Sequence, residues 1–244
     1  MHRFFVPASR ISGEEIEFAE DQRRQMLNVL RLRQGDLVAA FDGSGREFVA
    51  EINVLNGAHA LGRIVEVRTP ATEPDLDVTL VQSMPKGDKI EIILQKCTEI
   101  GVSSFLIMET ERSVRRIRPE DMEKNLIRWR AIVREAAEQS GRTRVPSVDG
   151  VISFQDALAR VKNSGISFIA WENEKEMTLS SALPSLSGAK QVSYLIGPEG
   201  GFSAEEIAAA RTEGIIPVSL GPRTLRTETA AIVVSALIVY GPRS

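Results

Sequence analysis

The sequence predicts a protein of mixed α/β class, in which a small antiparallel β-barrel is followed by a larger domain built on a parallel sheet. Three observations lead to this prediction. Short β-rich runs alternate with turn residues between positions 35 and 67, apolar strands alternate with helical stretches after position 74, and a proline-containing linker at 69–74 separates the two patterns. We therefore expect one domain at residues 1–73 and a second at residues 74–244.

The barrel is predicted from hairpin signals in the first domain. The β-rich runs at 37–41, 47–52 and 61–67 are separated by Asp42-Gly43-Ser44-Gly45 and by Asn56-Gly57. Asp-Gly and Asn-Gly favour tight hairpins, because their residues tolerate positive φ. Closure into a barrel would remove exposed strand edges. A helix is expected at residues 20–32, where apolar residues recur at helical spacing.

The second domain is predicted from alternating strands and helices. Strands are expected at 78–84, 105–108, 166–171, 192–196 and 215–220, and helices at 88–100, 119–140, 154–161, 204–213 and 228–240. The strands are almost continuously apolar, which is typical of a parallel sheet covered on both faces. Asp88 with Glu91, and Ser203 with Glu206, have the spacing of capping boxes at helix starts.

Composition excludes several classes of function. One cysteine, Cys97, cannot build a disulfide framework, and two distant histidines, His2 and His59, supply neither a histidine metal site nor a Ser-His-Asp triad. No apolar run is long enough to span a membrane. We expect a cytoplasmic protein without a metal.

The charge distribution leaves two alternatives open. The net charge is −3, yet residues 112–144 contain ten Lys and Arg residues against five Asp and Glu residues. This local excess is compatible with a solvated helix face and with a surface that binds phosphates.

Ligands of open α/β sheets bind beyond the carboxyl ends of the strands, and three loops follow such ends here, at 170–172, 195–202 and 220–230. The second loop contains Gly200-Gly201 but no phosphate-binding or dinucleotide-binding glycine pattern. Glu199 in this loop would repel a pyrophosphate. The loop therefore favours an uncharged or cationic ligand, although an ordinary turn explains the two glycines equally well.

The third loop places two arginines, Arg223 and Arg226, between an apolar strand and an apolar helix. Thr227 could act only as a helix cap, with Glu228 favourable at the positive end of the helix dipole. That interpretation accounts for two residues and leaves the arginines unexplained.

The sequence resembles the RsmE family of RNA methyltransferases, in the SPOUT superfamily. The resemblance rests on ordered segments along the whole chain: Asn28-Val29-Leu30-Arg31, Phe41-Asp42-Gly43-Ser44, Lys86-Gly87-Asp88-Lys89, 95–102, 135–146, 196–202 and 220–230. It implies a PUA-like barrel followed by an α/β domain with a deep trefoil knot, and a homodimer. It also implies S-adenosylmethionine as cofactor and methylation of uridine N3 in 16S ribosomal RNA of the small subunit.

The resemblance and the three loops together predict site residues. Arg226 is expected to stabilise the negative charge that develops on the uridine, and Glu228 or Thr227 is expected to position the base or to accept its proton. The expected cofactor-binding residues are Ala170, Glu172, Leu195, Gly197, Pro198, Glu199, Gly200, Gly201, Leu220, Gly221, Leu225 and Thr229. The expected RNA-binding residues are Arg3, Arg10, Arg24, Arg31, Arg33, Lys86, Arg112, Arg115, Arg134, Gln139 and Arg142.

Three alternatives remain open at this point. A non-catalytic RNA-binding or ribosome-assembly factor would retain the fold without binding the cofactor. A nucleotide enzyme is disfavoured by Glu199 and by the missing Lys-Ser/Thr pair. A related methyltransferase could act on a ribose 2′-hydroxyl or on a guanine.

Overall fold

The computed structural model describes residues 1–162 and 164–242, which form two compact units. The first unit comprises Met1–Glu73 together with Ala137–Val145. The second comprises Pro74–Ala136 and the described residues from Pro146 onward. The segment Ala137–Val145, which we expected in the second domain, is part of the first unit.

The first unit is built on a six-stranded sheet with the order β1-β4-β5-β6-β3-β2. Its strands are β1 (Arg3–Phe5), β2 (Ile11–Ser12), β3 (Glu15–Glu17), β4 (Leu37–Phe41), β5 (Glu47–Leu55) and β6 (Ala60–Arg68). The two predicted hairpins, β4–β5 and β5–β6, are confirmed as antiparallel pairs. The strand order ends at β1 and β2, so this sheet is not closed into the expected barrel. It is not fully antiparallel either, because β1 pairs with β4 in parallel.

The helix predicted at 20–32 is shorter than expected. Helix α1 (Glu20–Arg24) continues as one π-helical stretch, Gln25–Val29, and Arg31 beyond it has a positive φ of 53°. Met26 is fully buried on the helical stretch and packs into the core of this unit with Phe4 and Phe18. The rings of Phe4 and Phe18 meet edge to face, with their centroids 5.7 Å apart.

The second unit contains a parallel sheet, as predicted. Its strands are β7 (Asp77–Ser83), β8 (Ser104–Glu109), β9 (Ser147–Ser153), β10 (Ile166–Ala170), β11 (Gln191–Ile196) and β12 (Ile216–Val218). They lie in the order β12-β10-β11-β7-β8-β9, and every neighbouring pair is parallel. Strand β9 was not predicted, because Asp149 and Gly150 interrupt its apolar character.

The helices of the second unit begin and end close to the predicted positions. They are α2 (Lys89–Ile100), α3 (Pro119–Ser140, whose last residues belong to the first unit), α4 (Phe154–Val161), α5 (Leu179–Ala182), α6 (Ala204–Thr212) and α7 (Thr227–Tyr240). Helix α5 was not predicted. Within residues 1–162 and 164–242, no helix is both long enough and apolar enough to cross a membrane.

One of the two predicted capping boxes is confirmed and the other is wrong. The Ser203 hydroxyl accepts from the Glu206 N–H, and the Glu206 carboxylate accepts from the Ser203 N–H at 2.9 Å. Asp88 makes no capping hydrogen bond with its side chain. Its backbone, at φ −98° and ψ 13°, lies outside the extended conformation that a capping residue usually adopts.

Candidate active site

Three loops of the second unit line one cavity of about 390 Å³. They follow β10, β11 and β12, which are neighbours in the sheet. Because the carboxyl ends of parallel strands meet at one edge of a sheet, these loops are brought together although long stretches of sequence separate them. The glycine-containing turn after Ile196 and the arginine-containing turn after Leu220 therefore form a single pocket, as expected from the sequence.

Most of the predicted cofactor-binding residues line this cavity. They are Ala170, Glu172, Gly197, Pro198, Glu199, Gly200, Gly201, Leu220, Gly221 and Leu225, and the predicted catalytic residues Arg226 and Thr227 line it as well. The structure adds lining residues that were not predicted: Trp171, Ile196, Ser219, Pro222, Arg223, Thr224 and Ala230. All of these lie in or next to the three loops, so adjacency to the strand ends was the signal available for them.

Three predicted residues lie elsewhere. Leu195 is fully buried in the core against residues such as Val81 and Ile169, because it precedes the last residue of its strand, Ile196, which lines the cavity instead. Thr229 is exposed and is not part of the lining. Glu228 is not part of the lining either.

The glycine turn is shaped by close approach of a carboxylate. Gly201 has a φ of +66°, and a Cβ atom added to it would meet both carboxylate oxygens of Glu172, one of them at 2.9 Å. A Cβ atom added to Gly197 would lie 3.2 Å from the ring of Phe202. Side chains at these two positions would therefore displace neighbouring groups of the cavity wall.

Thr227 connects the two main loops of the cavity. Its buried hydroxyl donates to the carbonyl oxygen of Gly197 at 2.7 Å and accepts from the side-chain amide of Gln82 at 3.0 Å. The N-cap residue of α7 is Arg226, so the interpretation of Thr227 as only a helix cap is wrong. Arg226 itself is exposed and lines the cavity.

A lysine joins the acidic residues of the same two loops. The Nζ atom of Lys89, the first residue of α2, lies 2.7 Å from Glu199 and 3.4 Å from Glu228. The hydrogen bond with Glu199 raises the pKa of Lys89 above its usual value. Burial pushes the pKa of Glu199 upward, but the hydrogen bond from Lys89 and the backbone N–H of Lys86 outweigh it, so the pKa ends below the usual range. Both groups are therefore charged near neutral pH.

Two of the arginines predicted to bind RNA are used inside the first unit instead. Arg142 is only 3% exposed and forms an ion pair with Glu73 at 2.7 Å, so its guanidinium is engaged within this unit. Arg3 pairs with Glu47 and donates to the carbonyl oxygens of residues 141 and 142. Burial lowers the pKa of the Arg3 guanidinium below its usual value, while the charge of Glu138 acts in the opposite direction.

The other predicted RNA-binding residues are more accessible. In the first unit, Arg10, Arg24, Arg31, Arg33 and Gln139 are exposed, and Arg24 pairs with Glu20.

In the second unit, Lys86 and Arg112 are exposed, whereas Arg115 and Arg134 are half-buried. Arg112 donates to the carbonyl oxygen of Gly200 at 3.0 Å, and Arg115 donates to that of Gly87. Arg112 therefore lies directly beside the glycine turn.

The described part of the chain contains no group of three or more His, Cys, Asp and Glu residues placed to hold a metal ion.

Comparisons with known proteins identify the family to which this chain is similar. Residues 72–239 match the model of an RNA methyltransferase domain, and residues 21–65 match that of an RNA methyltransferase PUA domain. The chain is 31% identical to ribosomal RNA small subunit methyltransferase E of Bacillus subtilis, over 98% of this chain and 96% of that protein. It is 33% identical to the protein of the same name from Synechocystis, over 97% of this chain and 77% of that one.

Solved structures agree with this placement. The ribosomal RNA small subunit methyltransferase E of Neisseria gonorrhoeae, crystallised with S-adenosylmethionine, superposes with a TM-score of 0.88 at 32% identity, covering 97% of this chain and 96% of that one. A methyltransferase of Legionella pneumophila, also solved with that cofactor, superposes with a TM-score of 0.87 at 31% identity and the same coverage. The chain therefore belongs to the ribosomal RNA small subunit methyltransferase E family.

Proposed function

We propose that this protein uses S-adenosylmethionine to methylate N3 of a uridine in 16S ribosomal RNA. The observation that carries the proposal is the single cavity formed by the loops after β10, β11 and β12. A relative that shares the fold at 32% identity was crystallised with S-adenosylmethionine. Such a substrate implies that the protein acts in the cytoplasm, where bacterial ribosomes are assembled.

The residues around the cavity suit this cofactor. A volume of about 390 Å³ lies within the usual size of small-molecule sites. The carboxylate of Glu172 lies in the lining and can accept hydrogen bonds from hydroxyl or amino groups, while the glycine turn admits close contact with backbone groups. At the wall that contains Glu172, a cationic group is favoured over a pyrophosphate.

When bound, the cofactor would supply a methyl group made electrophilic by a sulfonium centre. Uridine N3 becomes an adequate nucleophile only as its proton leaves to solvent, and negative charge then develops on the neighbouring carbonyl oxygens. Arg226 is exposed at the cavity, so its guanidinium can stabilise this charge with preorganised donors. The cavity wall would serve to hold the methyl group close to N3.

The predicted roles of Thr227 and Glu228 change with the structure. The Thr227 hydroxyl already donates to Gly197, so it holds the loops together rather than accepting the N3 proton. Glu228 contacts Lys89 and lies outside the lining, so its proposed role is to hold the start of α7. Arg226 remains the residue proposed to act on the uridine.

RNA is proposed to approach the cavity over a basic rim. Arg112 lies beside Gly200, Arg115 beside Gly87, and Arg223 and Arg226 are part of the lining. These arginines would contact phosphates, which position an RNA without reading its sequence. Because N3 lies on the base-pairing edge, the target uridine must be unpaired or flipped out. Because the proposed contacts are to phosphates, RNA binding should weaken steeply as salt concentration rises.

A homodimer is proposed from the character of α7. This helix buries residues such as Ala231, Val234 and Ile238 against its own unit, yet its other sides carry the half-buried apolar residues Ile232, Val233, Ala236 and Leu237. A helix that is apolar on all sides is usually covered on all sides. A second copy of this chain is the proposed partner. Sedimentation should give a dimer, and Leu237→Lys should shift it towards the monomer.

The trefoil knot is proposed from contacts of the last loop. Ser219 donates to the carbonyl oxygen of Met177 at 2.8 Å and accepts from the N–H of Leu179 at 2.9 Å, while Thr227 contacts Gly197. The segment from 219 to 227 thus lies against two earlier loops, and we propose that it passes through them. Knots are rare, so a direct test is needed. Pulling the chain by its termini should stop short of full extension, and full extension would exclude a knot.

The methylation proposal has a direct chemical test. Small-subunit RNA that lacks 3-methyluridine would be incubated with the protein and S-adenosylmethionine, and its nucleosides analysed by mass spectrometry. We expect 3-methyluridine. A methylated ribose or guanine would identify a different acceptor. Cofactor binding by calorimetry without any methylated nucleoside would identify a binding factor instead.

A further inference from the structure

A buried amide lies beside the glycine turn and is not part of the predicted site. Gln82 is the next-to-last residue of β7 and is 0% exposed. In the sheet it is in register with Ile196, the residue that precedes Gly197. Buried polar side chains normally have hydrogen-bond partners, and those of Gln82 reveal its role.

The partners of Gln82 determine the direction of two hydrogen bonds. Its amide nitrogen donates to the carbonyl oxygen of Ser83 at 2.8 Å and to the hydroxyl of Thr227 at 3.0 Å. Because a carbonyl oxygen only accepts, the nitrogen of the amide, and not its oxygen, must face Ser83. The Thr227 hydroxyl therefore accepts from Gln82, and its single proton is left for the carbonyl oxygen of Gly197 at 2.7 Å.

We propose that Gln82 is a positioning residue for methyl transfer, which orients the Thr227 hydroxyl towards Gly197 and so holds the glycine turn against the start of α7. These two segments form two walls of the cavity. The consequence for catalysis rests on the proposed function, whereas the consequence for the structure of the turn does not.

Packing alone does not account for this residue. The amide oxygen of Gln82 is buried and, within the described part of the chain, has no hydrogen-bond partner. An unpaired buried acceptor is unfavourable, and an apolar side chain of similar length would fill the same space without it. We therefore expect Gln82→Met to unfold at the same temperature as the wild type or above it, while the cavity loses order.

The test compares Gln82→Met, Thr227→Val and the double variant. In the protein without cofactor, hydrogen exchange of the backbone N–H groups of Gly197 and residues 199–202 should rise in both single variants, because each substitution loosens the turn. The dissociation constant for S-adenosylmethionine should rise by about tenfold, the size expected for one lost hydrogen bond. The double variant should be no worse than Thr227→Val, because Gln82 acts through that hydroxyl.

Gln82→Glu adds a readout that simple packing would not change. Burial raises the pKa of a carboxyl group, and only its protonated form can donate to Thr227. Cofactor binding by this variant should therefore weaken as pH rises, relative to the wild type at each pH. If cofactor binding by Gln82→Glu and by the wild type depended on pH in the same way, the proposal would be overturned. Wild-type exchange and binding in Gln82→Met would also overturn it, as would additive losses in the double variant.

Failure of this inference can be separated from failure of the proposed function. If the wild type makes no 3-methyluridine, the proposed function fails, and exchange at 197–202 still decides whether Gln82 acts through Thr227. If the wild type is active and Gln82→Met has wild-type exchange, only the role of Gln82 fails.

Discussion

Both units contain residues that the sequence predicts to bind ligands, but the structure places these residues in different surroundings. In the second unit, the three loops after neighbouring strands do form one cavity. In the first unit, Arg3 and Arg142 are engaged by Glu47, Glu73 and backbone carbonyls. The location of a site follows from strand topology, whereas the availability of an arginine depends on which acid happens to lie beside it.

The difference has an energetic basis. Glycines and backbone groups at a strand end need no partner to stay available for a ligand. A buried guanidinium is stable only when it is paired, so an arginine in a folded interior is already occupied. The comparison predicts that substitutions of buried, paired arginines in the first unit affect stability, while those of cavity residues in the second unit affect binding and catalysis.

The largest effect is expected for Arg142→Ala. The substitution leaves the carboxylate of Glu73 largely buried without its cationic partner, which should cost about 3–5 kcal/mol in the free energy of unfolding. Urea unfolding would measure it. Arg10→Ala, at an exposed arginine of the same unit, is the control and should stay within about 0.5 kcal/mol of the wild type. Equal losses in both variants would remove the distinction between buried and exposed arginines.

Arg226→Ala should impair catalysis and leave stability almost unchanged, which is the opposite of the result expected for Arg142→Ala. We expect kcat for methylation to fall by about a hundredfold or more, as for other donors that stabilise developing charge, with little change in stability. Cofactor binding by calorimetry should remain close to the wild type, because the charge arises on the uridine. Methylation at the wild-type rate, with cofactor still bound, would remove the proposed role of Arg226.

The sequence predicts local structure well where a short pattern determines it. The hairpins at Asp42-Gly43 and Asn56-Gly57 and the capping box of Ser203 are confirmed, because neighbouring residues alone define each of them. The cavity could also be located, because parallel strands that end in polar loops present those loops at one edge.

Contacts between distant residues could not be predicted from such patterns. The pair of Arg142 and Glu73 joins positions 69 residues apart, and the bond between Gln82 and Thr227 joins positions 145 apart. Nothing in either local sequence indicates the partner. Asp88 has the spacing of a capping box, but its backbone conformation excludes one, and backbone conformation was not visible in the spacing.

Gly201→Ala should have an intermediate effect, confined to the cavity. The added Cβ atom would meet the carboxylate of Glu172, so this side chain must move. We expect the dissociation constant for S-adenosylmethionine to rise by about tenfold, which corresponds to about 1.4 kcal/mol. The control is Gly188→Ala, where φ is +74° but no atom lies within 4 Å of the added Cβ. A similar loss of binding in both variants would attribute the effect to backbone strain alone.

The smallest effect is expected for the pH dependence of stability, which depends on Glu73 in the first unit. Burial raises the pKa of Glu73, but its hydrogen bond and charge interaction with Arg142 and the bonds from Thr143 and Arg144 outweigh this, so the folded pKa lies below the unfolded one. A lowered folded pKa stabilises the protein above the unfolded pKa, and this stabilisation is lost as pH falls through the folded value. The free energy of unfolding should therefore decrease in acid, and less steeply in Glu73→Gln. Identical acid profiles for the two proteins would show that the buried pair does not control this dependence, and would weaken the contrast between the structural arginines and the cavity.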